Sequence, residues 1–194
     1  MIRRLTAKET EQVYHTHLEQ DFPPEERRPL KWVQALSEQG RYLTVGYFSD
    51  EGVLKGYAFF GRSSTEKTLM MDYFAVVKVF RESGVGSAFF QELKEVFSDY
   101  CGIVYEVEAP EKALTEADHA MRERRICFYL RNGGCMTRVY SRVFGVDYQM
   151  MYIPIHGEWD DDFVAAELED AYRVMIPPER YDMIIEDIGI NENN

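Results

Sequence analysis

The sequence predicts a mixed α/β or α+β fold, a central sheet with helices on both faces. Three observations lead to this. The apolar patterns along the chain alternate in kind and read βααβββαβαββαα. A mostly apolar run, Leu69–Val77, passes into helical spacing at Val85, Ala88, Phe89, Leu93, Val96 and Phe97, so a central strand leads into a helix. The 194 residues are 45% hydrophobic and include 12 Phe, 13 Tyr and 2 Trp, enough to fill a core without disulfide or metal staples.

Residues 1–5 read as a first strand. Thr6-x-x-Glu9 is a capping-box pattern for a helix that runs to about Gln20 and is broken by Asp21-Phe22-Pro23-Pro24. Pro29 suits the first turn of a second helix, whose apolar stripe is Leu30, Val33 and Leu36 and which Gly40 ends. Tyr42–Phe48 and Val53–Phe60 flank the turn residues Ser49-Asp50-Glu51-Gly52 and form a hairpin. The helix after the third of these strands covers about Gly84–Asp99. Ile103–Glu108 is a further strand. Thr115-x-x-Asp118 starts another helix, and Asn132-Gly133-Gly134 stops it. Met136–Tyr140 and Val146–Tyr152 are the last two strands, with Gly145 in the connection. Asp160–Met175 and Pro178–Ile188 read as two C-terminal helices. Residues 1–153 thus form the main domain, and 154–194 a helical extension packed on it.

Acidic residues number 34 and basic residues 22, a formal charge of 22 − 34 = −12. Such a chain is a poor binder of phosphate backbones, so nucleic acid is not an expected partner. The acidity suits a cationic acceptor such as an amine, or simply solubility. Cys101, Cys127 and Cys135 are odd in number and widely spaced, which fits reduced, mostly buried thiols in a cytoplasmic protein. His15 and His17 lie two apart on a helix and face different directions, so no metal site is expected. No apolar run reaches the roughly 18 residues of a membrane span, and no signal peptide is read at the N-terminus.

The segment richest in chemical meaning is Asp72-Tyr73-Phe74-Ala75-Val76-Val77-Lys78-Val79-Phe80-Arg81-Glu82-Ser83-Gly84-Val85-Gly86-Ser87-Ala88. A strand runs into a glycine-containing turn that opens onto an amphipathic helix. The turn and the helix start expose backbone N–H groups with partial positive charge, a site for phosphate or pyrophosphate. A Walker loop requires Gly-Lys-Ser/Thr, and here the residues are Gly86-Ser87-Ala88. A dinucleotide fingerprint requires a third glycine where Phe89 stands. A plain strand-to-helix turn also accounts for the glycines.

Arg81-Glu82-Ser83-Gly84-Val85-Gly86 resembles the Gln/Arg-x-x-Gly-x-Gly/Ala signature of the GNAT superfamily of N-acetyltransferases. Phe128-Tyr129-Leu130-Arg131-Asn132-Gly133 resembles that family's helix end, with a Tyr four residues before a Gly. The element order matches the family fold over roughly residues 1–153. The resemblance implies a mixed, mostly antiparallel sheet, extended here by the C-terminal helices. It implies that the loop from Arg81 through Glu82, Ser83, Gly84 and Val85 to Gly86 binds the pyrophosphate of acetyl-CoA, and that Phe74-Ala75-Val76 offers backbone groups to the pantetheine arm. It further implies that Tyr129 protonates the departing thiolate. Seven and four residues before Tyr129, where the family often has Asn and Ala, this chain has Arg122 and Arg125. The run Arg122-Glu123-Arg124-Arg125 is either a cation source for the cofactor phosphates or a solvated helix face with internal ion pairs.

An acceptor amine, with a lysine-like pKa near 10.4, must lose a proton before it attacks a thioester. Glu106 and Glu108 share one face of their strand and are the candidate bases; Asp72 is a third carboxylate to consider. The expected activity is direct transfer of an acetyl or other short acyl group from acyl-CoA to a primary amine of a small molecule or peptide, in a ternary complex. The alternative is an acyl-CoA-binding sensor or inactive interaction module of the same fold. Monomer and homodimer are both compatible with the sequence.

Overall fold

The computed structural model describes residues 1–191. It shows a mixed α/β fold with an eight-stranded, mostly antiparallel sheet and helices around it. The strands, in hydrogen-bonded order, are β1-β2-β3-β4-β5-β7-β6-β8. They span Ile2–Arg4 (β1), Tyr42–Phe48 (β2), Leu54–Arg62 (β3), Thr68–Val76 (β4), Gly102–Glu108 (β5), Cys135–Val143 (β6), Val146–Pro154 (β7) and Ile185–Ile190 (β8). The chain clusters into two compact units. The first is Met1–Gly61 with Met71–Val96, and the second is Arg62–Met70 with the chain from Phe97 onward.

In the first unit the capping box forms as its sequence predicts. The Thr6 amide donates to Glu9 Oε2 at 2.8 Å and the Glu9 amide donates to Thr6 Oγ1 at 3.3 Å. Such a cap contributes about 1 kcal/mol. It opens α1 (Ala7–Val13), which continues through a π-helical stretch, Tyr14–Leu18, into a last turn at Glu19–Asp21. Helix α2 covers Leu30–Glu38, with Pro29 at its N-cap, and buries Val33 and Leu36. β1, β2 and β3 form an antiparallel meander in which Tyr47 lies opposite Ile2 and Gly56. Tyr57, Ala58, Phe59 and Phe60 of β3 are all fully buried. A strand without alternation has both faces covered. Helix α3, Val85–Val96, sets Phe89, Phe90 and Leu93 into this core.

The second unit holds α4 (Glu116–Arg131), capped by Thr115, and α5 (Asp161–Met175), capped by Asp160. β5 pairs with β7 so that Glu106 lies opposite Met150 and Glu108 opposite Tyr148. β6 and β7 form a hairpin whose two turn residues, Phe144 and Gly145, both have positive φ. This matches the right-handed strand twist. Val164, Leu168, Ala171, Tyr172 and Met175 are the buried stripe of α5, and α5 packs on β6 and β8.

Two expectations need correction. The segment Pro178–Ile188 is not a helix. It makes a 3-10 turn at Pro178–Arg180 and a single helical turn at Tyr181–Ile184 (α6), then becomes β8. β8 pairs antiparallel with β6, Val139 opposite Ile190 and Arg142 opposite Asp187. The edge of β6 offers unpaired backbone groups, and a ladder satisfies them where a short helix would not. Gly189 makes this pairing possible: a Cβ there would lie 2.6 Å from the hydroxyl of Tyr140, the residue opposite it. The cysteines are free but not mostly buried. Cys101 and Cys135 are half-buried and Cys127 is exposed. Among the described residues no helix is long and apolar enough to cross a membrane.

Candidate active site

The glycine loop lies in the first unit. β4 ends at Val76, a 3-10 turn follows at Lys78–Phe80, and Arg81 is extended before α3 begins at Val85. Glu82 and Gly84 both occupy the left-handed region, at φ 63° and 82°. For Glu82 that conformation costs about 1–2 kcal/mol. Strain of this kind persists where surrounding structure holds it, often at ligand loops. Gly84 accepts it freely, and a Cβ there would meet nothing within 4 Å. The first α3 ladder bond runs from the Ala88 amide to the Gly84 carbonyl at 3.1 Å. The amides of Val85, Gly86 and Ser87 therefore precede the ladder and carry the positive end of the helix dipole. An anion fits this loop: open space at Gly84 meets donors that belong to backbone.

Side chains hold the loop in shape. Ser83 Oγ donates to the Phe80 carbonyl at 2.6 Å. Arg81 Nε donates to the Val76 carbonyl at 3.0 Å, and its guanidinium also pairs with Asp21 at the end of the first helix. Asp21 in turn accepts from Tyr57 at 2.8 Å. Arg81 is thus a staple of the loop as well as a nearby cation. On β4, the Phe74 ring stacks on Phe89 at 4.9 Å and meets Phe90 edge-on. The Ala75 carbonyl lies 2.9 Å from where a Cβ on Gly56 would be. Asp72, considered as a base, is engaged elsewhere. It pairs with Arg28 at 2.8 Å and accepts from Tyr42. This pins the segment between α1 and α2.

The remaining candidates lie in the second unit. Tyr129 is the one buried residue of α4, its ring 4.5 Å from that of Tyr105. Burial pushes its hydroxyl up to about 12, against the opposing pull of Arg125. A phenol so placed keeps its proton at neutral pH and is a donor there. The α4 end is closed by amides of Asn132 and Gly134 donating to the Tyr129 carbonyl at 3.1 and 2.9 Å.

Glu106 and Glu108 do share one face of β5, but their surroundings differ. Glu108 binds two guanidiniums, Arg122 at 3.0 Å on Oε1 and Arg125 at 3.1 Å on Oε2. Arg122 also pairs with Asp118 at 3.0 Å and donates to the Ala109 carbonyl at 2.9 Å. The ion pairs of the arginine run are only partly internal to the helix: Arg122 pairs with Asp118 within α4, but Arg122 and Arg125 both reach across to Glu108 of β5. Glu106 instead accepts from Tyr172 of α5 and from Ser141 of β6, the latter at 3.3 Å. Sequence reasoning missed Tyr172, Ser141, Asp21 and Arg28. Nothing local marks them, because each acquires its partner through the fold.

No protein-family model matches the chain, and no curated protein matches it. Solved structures do. A protein assigned to the GNAT acetyltransferase family of Bacteroides thetaiotaomicron aligns at TM-score 0.66 and 24% identity, over 87% of this chain and 94% of that one. The ribosomal-protein-S18-alanine N-acetyltransferase of Escherichia coli aligns at 0.56 and 19%, over 83% and 97%. A GNAT phosphinothricin acetyltransferase of Sinorhizobium meliloti, solved with AcCoA, aligns at 0.55 and 13%, over 80% and 88%. By its architecture, this chain has the fold of the GNAT acetyltransferases.

Proposed function

We propose that this chain is a cytoplasmic, acetyl-CoA-dependent N-acetyltransferase acting on a primary amine. The observation that supports it most is the loop at Glu82–Gly84, strained and open, leading into a helix start whose first amides precede the α3 ladder. Acetyl-CoA would supply the activated acetyl group as a thioester. The amides of Val85, Gly86 and Ser87 hold its pyrophosphate, and Arg81 keeps the loop in shape for it. Phe74, Ala75 and Val76 offer backbone to the pantetheine arm. Glu106 takes a proton from the amine nitrogen, and the Tyr129 hydroxyl gives one to the departing sulfur. Glu108 keeps Arg122 and Arg125 in place on α4 rather than accepting that proton. The acidic balance of the chain favours a cationic acceptor. Similar folds act on a ribosomal-protein alanine and on phosphinothricin, so both peptide and small amines belong in a screen. The three free thiols suit a reducing compartment.

The test is twofold. Saturating acetyl-CoA raises the melting temperature, since a ligand that binds only the native state stabilises it by mass action. A panel of amines then yields free thiol from acetyl-CoA. A melting temperature that responds to ATP and not to acetyl-CoA overturns the cofactor assignment. Binding without thiol release from any amine favours the sensor reading.

A further inference from the structure

The C-terminal helix α5 is fixed to the one strand residue proposed as base. The Tyr172 hydroxyl donates to Glu106 Oε1, and Ser141 Oγ lies 3.3 Å from that same oxygen and 3.1 Å from the Tyr172 hydroxyl. Three residues far apart in sequence, on β5, β6 and α5, thus meet in one polar cluster, in which Tyr172 donates to Glu106 and the single Ser141 proton serves either Glu106 or the Tyr172 oxygen. Tyr172 and Ser141 are buried, whereas Glu106 is half-buried. A polar cluster of this kind is not needed to hold α5. Val164, Leu168, Ala171 and Met175 already anchor that helix through apolar burial. A buried tyrosine hydroxyl costs free energy unless it is bonded, and here its partner is a carboxylate.

We propose that Tyr172 and Ser141 position Glu106 as the proton acceptor, so that the C-terminal extension supplies part of the proton-transfer apparatus. This rests on the acetyltransferase reading above. The Tyr172 hydroxyl on Oε1, backed by Ser141 against both groups, restricts the rotamer and plane of the carboxylate. Burial, and then the Glu106 charge, push the Tyr172 hydroxyl well above its ordinary range, so it stays a donor throughout the working pH. Other titratable groups lie on the same or neighbouring elements. Tyr148 of β7 also acts on Tyr172. Glu108, next on the same face of β5, is paired with Arg122 and Arg125 of α4. Glu167 of α5 accepts from Thr68 of β4. Met150 of β7, opposite Glu106, carries no charge.

The experiment compares wild type, Glu106→Gln, Tyr172→Phe and Ser141→Ala. It reads thiol release against pH with acetyl-CoA and the best amine. It also reads the carboxyl resonance of Glu106 against pH, by carbon NMR on the protein without ligands. Glu106→Gln should lower turnover about 10²–10⁴-fold while the acetyl-CoA melting shift persists. Tyr172→Phe keeps the ring and the packing. It should move both the acidic limb of the rate and the Glu106 resonance upward by about 1–2 pH units, and turnover above the new limb should stay below wild type because the carboxylate is no longer held in one plane. Ser141→Ala should move both in the same direction by less, and it serves as the independent variant should Tyr172→Phe fail to fold. Full turnover in Glu106→Gln, or unchanged limbs and resonance in both donor variants, overturns this proposal and leaves the acetyltransferase reading intact. No thiol release by wild type with any amine removes that reading and this proposal with it.

Discussion

The glycine loop of the first unit and the β5–α4 region of the second present different kinds of atoms. The loop presents backbone: its donors are amides, and its shape comes from φ at Glu82 and Gly84. The β5–α4 region presents side chains, whose chemistry depends on what each one touches. Glu106 and Glu108 show this within a single strand. They lie two residues apart on one face, yet two arginines claim one carboxylate while two hydroxyls claim the other. A backbone site is specified by local conformation. A side-chain site is specified by neighbours that arrive from elsewhere in the chain.

The largest expected effect probes the side-chain region. Tyr129→Phe removes one hydroxyl and leaves the ring against Tyr105, so turnover should fall about 10²–10⁴-fold with acetyl-CoA affinity nearly unchanged. Full turnover in a chemistry-limited assay would make Tyr129 a packing residue, and the region would lose its acid. Because burial raises that hydroxyl to about 12, wild-type rates should show no alkaline limb from it up to about pH 10. An alkaline limb near pH 8–9 that disappears in Tyr129→Phe would contradict this. The same shift has a stability consequence. The folded pKa lies above the unfolded value of 10, so the contribution is complete below pH 10 and fades as pH rises toward 12.

Next comes the loop. Gly84→Val places a branched side chain at φ 82° and in the open space before α3. The acetyl-CoA melting shift should be lost. Intrinsic stability should also drop, by about 1–2 kcal/mol for the left-handed strain. A folded variant with wild-type affinity would reduce the glycine to a turn residue and erase the contrast between the two regions.

Smaller is the effect of Glu108→Gln. It weakens two charged contacts, so melting should fall by a few degrees, while turnover should stay within about threefold of wild type. A loss comparable to that of Glu106→Gln would return Glu108 to the role of base. Smallest is the salt response. If acidic groups steer a cationic amine, kcat/KM should decline as salt rises past the point where screening acts over about 8 Å. Salt-independent kinetics with anionic or hydroxyl acceptors would assign the acidity to solubility.

Much of the fold was legible because it is local. Thr6 and Glu9 cap α1, the Ser49–Gly52 turn closes its hairpin, and Thr115 starts α4, each through residues a few positions apart. The tail was misread where local and tertiary preferences conflict. Met183-Ile184-Ile185 is apolar enough for a helix face, but the edge of β6 takes Ile185–Ile190 as a strand.

The sequence by itself determined the order of elements through Met175, the glycine loop and the tyrosine at the α4 end. These follow from hydrophobic period and from residues whose backbone freedom or spacing carries meaning alone. Tertiary structure alone decided that Asp72 belongs to Arg28, that Glu108 belongs to Arg122 and Arg125, and that Glu106 belongs to Tyr172, 66 positions away. The physical reason is that the chemistry of a carboxylate lies in its partners, and hydrogen bonds and ion pairs act over a few ångströms of space whatever the distance along the chain.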